Sequence, residues 1–503
     1  INGGGYYSLN TGTLAIKGNL LLMSTSTSAI NGGTGTILFD GTGAQYINSS
    51  TSDLNYVCAL PSIAINKTSG SLNFAGTIHV AGTSWNTIAG ASLVNFGTSV
   101  INVLRSCTIS GQDLSMYDLV ITGTFNTITI SSGVTWVCNH RLTLAGGASW
   151  YQINTGTINA KGDILITNTN TSNSVGGTAT ILVDGTADQT LTGSGIEGGG
   201  KLPAIQINKT GGTLFLSGII STGNNWTYTA GNVDAAAYNS TLDFYKTAVI
   251  DGQGTSNTMS FFNVLFSGFI SLGGNMDVNG NFTIRTGVNN RLDVNATPSY
   301  QLNVAGNWTN ANSVTASSFN QQTGKVVFDG GSAQQLTLAS TAHTEFFYNL
   351  EISNSNGGLL LNAPVTVSGN LHLNSGKIFS SVTNLLSLSN AATATGASDS
   401  GFVSGPVLKT GNQAFTFPVG KNNSYAPVSI SAPGVNTDQF TAEYFQADPH
   451  ASYSTASKEP SLDHIPRCES WTLNRTTGAS SVSVRLSWDT RSCGITNTGD
   501  IRV

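Results

Sequence analysis

The residues that could do chemistry in this chain are few, and most stand alone. Asp113 and Asp118 form a tight acidic pair inside a degenerate repeat unit. Glycoside hydrolysis needs two carboxylates about 5–10 Å apart, so this pair is the natural place to look for it. The other regularly spaced aspartates each precede a glycine, which marks a turn and not a catalytic acid. Nucleophilic catalysis by Ser, Cys or Lys needs a histidine partner, and the six histidines are scattered. His79, His140, His343 and His372 fall in or beside strand patterns and read as exposed or edge residues. His450 and His464, with Asp448, Glu459 and Asp463, form a polar patch near the C-terminus, read as a solvated loop in preference to a metal site. No catalytic, cofactor-binding or metal-ligating residue is assigned.

Five tryptophans, Trp85, Trp136, Trp150, Trp226 and Trp308, recur in Gly/Asn/Ser-rich contexts. On an outer face they would stack on sugars; the competing reading is aromatic plugs at corners or under loops. Threonine ladders (Thr25, Thr27; Thr127, Thr129; Thr167, Thr169, Thr171) read as β-formers on a solvent face. Among the five cysteines, Cys468 and Cys493 bracket a compact segment and are the disulfide candidates. Cys107 and Cys138 are a weaker second pair, and Cys58 is left over. No C-x-x-C pair points to zinc or redox chemistry. No Gly cluster continues into a P-loop or dinucleotide fingerprint.

The elements carrying these residues repeat. TGTILFDGTG (34–43) returns as TATILVDGTA (178–187) and TGKVVFDGGS (323–332), with the Asp-Gly landmarks about 144 residues apart. Ile65-Asn66-Lys67-Thr68 returns as Ile207-Asn208-Lys209-Thr210, and in worn form as Ile352-Ser353-Asn354-Ser355. Degenerate copies lie between, which makes about five units of 60–85 residues over 1–400. Within them, runs of four to six residues alternate apolar and polar before meeting Gly, Asn, Asp or Ser, the pattern of short strands. No 3.6-residue apolar period is sustained. The expected fold is all-β: a parallel β-helix or β-solenoid of about 18 coils averaging about 22 residues. A string of Ig-like sandwiches is the alternative. Asp40, Asp184 and Asp329 are assigned to corner turns in which the following glycine supplies φ > 0.

Composition bounds the rest. The 503 residues include 59 Gly, and only 9% are charged, against about 25% in a typical protein. The net charge of −5 leaves no basic stripe for nucleic acid. No apolar run approaches the roughly 18 residues of a membrane span. Sixteen of the 45 charged residues and seven of the 11 prolines fall in the last 100 positions. Because proline removes a ladder donor, a C-terminal antiparallel β-sandwich-like domain is expected over 404–503. Its strands are placed at 481–488 and 500–503. Ile1 in place of Met, and a strand running to Val503, suggest a trimmed segment of something longer.

The runs LHLNSGKI (371–378) and NLLSL (384–388) lead into GFVSGPVLKTGNQAFTFPVGKNNSYAPVSIS (401–431) and CESWTLNRTTGASSVSVRLSWDTRSCG (468–494). Together they resemble the close of the repeat region and the following domain in large secreted, adhesin-like cell-surface proteins of Bacteroidota. That resemblance covers about 130 residues well and the upstream units loosely. It implies export by the type IX secretion machinery and an extracellular, cell-surface location, although no sorting domain follows within the sequence. The expected role is a non-enzymatic β-rod attaching to glycans or neighbouring surface proteins. The alternatives are a polysaccharide-binding or polysaccharide-degrading β-helix and a homo-oligomeric or fibre-forming subunit.

Overall fold

A computed structural model describes residues 2–3, 7–24, 32–49, 58–295, 297–313, 318–340, 343–454 and 458–495. It is a parallel β-solenoid of about 16 turns with antiparallel sheets toward the C-terminus. Among the described residues the only helical segments are two 3₁₀ turns, Ala91–Leu93 and Pro449–Ala451. No described helix is long and apolar enough to cross a membrane. Thr25, Thr27 and the expected strand at 500–503 lie outside the described residues.

The chain forms two compact units, 1–276 and 277–503. In the first, Thr13–Ile16, Thr36–Phe39, Ser62–Asn66, Ser84–Ala89, Cys107–Gly111, Asn126–Ile130 and Tyr151–Asn154 make one parallel sheet. Each strand pairs with its counterpart one coil later, so like positions stack: Ile37 on Ile63 on Trp85, and Phe39 on Ile65 on Thr87. The period-2 alternation therefore points one apolar row inward in every coil. Ile37, Phe39, Ile63, Ile65 and Trp85 are all buried, and each such side chain removed from water contributes about 1.5–3 kcal/mol. Coil length varies with the corner loops, which is why the count falls below an even 22-residue division. Val100 pairs with Asp118, whereas Leu20 pairs with Ile47. Pairing in parallel with the next coil, and not with the adjacent strand in a hairpin, rules out the Ig-like alternative.

In the second unit, Gln301–Val304, Lys325–Phe328, Asn349–Ser353, Asn370–Ser375 and Thr393–Thr395 form a parallel ladder. Val407–Thr410 is where direction changes. It pairs in parallel with Leu386–Leu388 and antiparallel with Gln439–Phe445, which in turn pairs with Ser470–Thr477. Phe415–Phe417, Val428–Ile430 and Val484–Leu486 make a separate antiparallel sheet. The prolines sit where strand rules place them: Pro406 and Pro427 immediately precede strands, and Pro418 follows one.

Glycine in the three Asp-Gly landmarks serves close approach, not left-handed backbone. Gly41, Gly185 and Gly330 are absent from the positive-φ positions. A Cβ there would lie 2.5, 2.0 and 2.3 Å from the carbonyl oxygens of Lys17, Lys161 and Ala305 in the preceding coil. The corner must touch the coil before it, and only glycine permits that.

Candidate functional site

The two sequence landmarks meet in space, and a glutamine joins them. Gln45 Nε2 donates to Ile16 O and Gly18 O of the previous coil at 2.8 and 2.9 Å. Its Oε1 accepts from Gly41 N and from Lys67 Nζ of the next coil, both at 3.0 Å. Lys67 Nζ also donates to Gly41 O and Gly43 O. The second copy repeats this: Gln189 reaches Ala160 O and Gly162 O, and Lys209 Nζ reaches Gly185 O, Ala187 O and Gln189 Oε1 at 2.6–2.9 Å. In the third, Gln334 reaches Val304 O and Gly306 O, and Asn354 Nδ2 replaces the lysine on Ser332 O and Gln334 Oε1. Burial lowers the ammonium pKa of Lys67 and Lys209 below the ordinary lysine range, opposed by Asp40 and by Asp188 with Asp184 respectively. Asp-Gly-x-x-x-Gln stands in all three copies, at 40–45, 184–189 and 329–334, and this fixed spacing is the signal in the sequence that marks the glutamine. These residues lock coil to coil.

Two of the three landmark aspartates are ion-paired. Asp40 pairs with Lys17 at 2.5 Å, and Asp184 with Lys161 at 3.1 Å. Asp113 accepts the amide of Thr135 at 2.7 Å, while Asp118 turns to His140 Nδ1 at 2.7 Å. His140 is exposed and stacks on Tyr117 with centroids 4.4 Å apart. The two carboxylates are thus held by different partners. His79 is buried, not at an edge, in the strand Thr77–Val80 whose residues 78–80 are all buried, so both faces of the wall are covered here. His343 and His372 are half-exposed. In the C-terminal patch, Asp448 caps the 3₁₀ turn at His450 N, and His464 binds Asp463 at 2.9 Å. Among the described residues no group of three or more His, Cys, Asp or Glu could hold a metal ion.

Cys468 and Cys493 form the disulfide, with Cα atoms 6.0 Å apart. Cys107 and Cys138 do not bridge: both are free buried thiols, as is Cys58. Burial pushes Cys107 and Cys138 up to about 12, so they are not nucleophiles at neutral pH.

Of the two roles open to the tryptophans, four take that of the aromatic plug and not that of a sugar platform. Trp85, Trp136, Trp226 and Trp308 are fully buried. They point into the coil and pack on other aromatics, as in the 5.4 Å edge contact of Trp85 with Trp136 and the 3.9 Å stack of Trp308 on Phe282. None offers a ring face to a sugar. Of these five only Trp150 is partly exposed, and its ring meets that of Phe125 edge-on at 5.9 Å.

A groove of about 680 Å³ in the first unit is lined by Thr124 and Asn126, the chain neighbours of Phe125, although neither the Phe125 nor the Trp150 ring lines it. Its polar lining comes from one corner of successive coils: Asn10, Thr34, Thr83, Arg105, Ser106 and Asn126. Ala81 and Leu104 add apolar surface and cluster with Ala59. The coils are drawn together here. Gly82 would place a Cβ 2.0 Å from Ser62 N, and Asn126 Nδ2 bonds Leu104 O and Thr122 O at 2.6 and 2.8 Å. No lining residue is a carboxylate, so the groove offers hydroxyls, amides and one guanidinium but no acid–base pair. Comparison of the chain with protein-family models, with curated protein sequences and with solved structures found no match.

Proposed function

We propose that this chain is a non-catalytic, extracellular β-solenoid of the adhesin-like kind, attaching a cell surface to glycans or to neighbouring surface proteins. One observation carries the reading. The polar residues that repeat with the fold bind adjacent coils instead of converging on a cleft, as Lys67, Gln45, Lys209 and Gln189 do. Repetition in this chain therefore serves a stiff, regular scaffold. The disulfide Cys468–Cys493 fits an oxidising compartment, and the resemblance of residues 401–431 and 468–494 to secreted Bacteroidota proteins supports type IX export.

The test is a glycan array together with a pull-down of surface proteins by the whole chain, with reducing-sugar release assayed on every hit. Saturable binding without turnover is the expected result. Release of reducing sugar would overturn the non-catalytic assignment. Absence of any glycan or surface-protein partner would overturn attachment and favour a fibre-forming role.

A further inference from the structure

We propose that the groove lined by Thr124 and Asn126, with the exposed Phe125 ring that lies between them in the chain, is an oligosaccharide-binding site. This deepens the attachment reading and rests on it. Phe125 is 65% exposed and holds a left-handed backbone, φ +65°. A bulky side chain in that conformation is an outlier of the kind that clusters at ligand clamps. Its conformation is maintained by the next coil, since Phe125 N and Asn126 N both donate to Trp150 O at 3.1 and 3.3 Å. The ring is thus kept in water by backbone bonding, at an unfavourable hydration free energy, with the Trp150 indole against its edge.

The groove supplies the complement. Thr124 and Asn126, on either side of Phe125, are among its lining residues, with Thr34, Thr83 and Ser106. Pyranose rings present C–H faces that pack on aromatic rings, and hydroxyls that exchange hydrogen bonds with short hydroxyl and amide side chains. The spacing fits as well. Coils advance by about 4.8 Å, close to the repeat of a pyranose in an extended chain, so successive sugars would meet successive corners.

The test uses the whole chain and a panel of soluble hexasaccharides, neutral and uronate, titrated up to about 10 mM by calorimetry. Phe125→Gly removes the ring and relieves the left-handed strain, so its fold is spared. Trp150→Ala removes the partner. Tyr238→Ala is the control, because Tyr238 is 56% exposed and edge-packed on Phe215 elsewhere in the same unit. Affinity for at least one hexasaccharide should fall about tenfold or more in each groove variant and stay unchanged in Tyr238→Ala. Binding that survives both groove substitutions would overturn the site while leaving glycan attachment standing. No binding by any hexasaccharide would overturn the site also, and the surface-protein pull-down would then decide the attachment reading by itself.

Discussion

Glu345 makes the stability of the second unit depend on pH in a direction opposite to that of most carboxylates. It opens the strand Glu345–Phe347 and is only 3% exposed. Its Oε2 accepts from Trp308 Nε1 and Asn310 Nδ2, each at 3.0 Å, and Asn310 is itself held by Ser318. Phe347 packs against Trp308 with centroids 5.4 Å apart, which closes the site in aromatic surface. Burial pushes the carboxyl pKa up to about 7, with the bonds from Asn310 and Trp308 pulling the other way. Between its unfolded value near 4.5 and about 7, the folded state binds more protons than the unfolded state, so stability falls as pH rises through that window. A separation of about 2.5 units corresponds to about 3 kcal/mol lost between pH 4.5 and 7, with a plateau beyond. Glu345→Gln keeps the shape and a carbonyl acceptor but removes the titration. Urea unfolding followed by tryptophan fluorescence at pH 5 and pH 8, in both proteins, isolates this group because all other titrations cancel in the difference. The variant should match the wild type at pH 5 and exceed it by about 3 kcal/mol at pH 8. A difference independent of pH, or a variant less stable at pH 8, would refute the argument.

Three further outcomes follow from the corners and the C-terminal sheet. Lys209→Met leaves Gly185 O, Ala187 O and Gln189 Oε1 without their shared donor, and should destabilise the first unit by about 2–4 kcal/mol in urea unfolding. A change within 0.5 kcal/mol of zero would show that the lysine is not the lock. Gly185→Ala forces a Cβ to within 2.0 Å of Lys161 O and should lower the melting temperature, whereas Gly331→Ala, with nothing within 4 Å, should leave it unchanged. Replacing both Cys468 and Cys493 by Ser opens a loop of 25 residues. The expected loss is about 3 kcal/mol, read as faster proteolysis within residues 458–495.

What the sequence determined by itself was periodic. The recurrence of FDG and VDG, the alternation of Val, Ile and Leu with Ser, Thr and Asn, and the clustering of proline after 404 were enough to specify a parallel solenoid ending in antiparallel strands. Each depends on neighbours in the chain, where a period of two is a local geometric fact. The Cys468–Cys493 bridge was legible for the same reason, because both residues belong to one short segment. What only the tertiary structure decided concerns partners about one coil away. Trp85 and Trp150 occupy similar Gly/Ser-rich contexts, yet the first plugs the core and the second is partly exposed against Phe125. Pairing with the next coil, not local composition, chooses which side of the wall a residue faces. The same separation hid the role of Gly41, whose neighbour is Lys17 O, and of Lys67, whose acceptors lie more than 20 residues earlier. Phe125 was least legible of all: its exposure is set by two backbone bonds to Trp150 O, and no pattern of side chains encodes them.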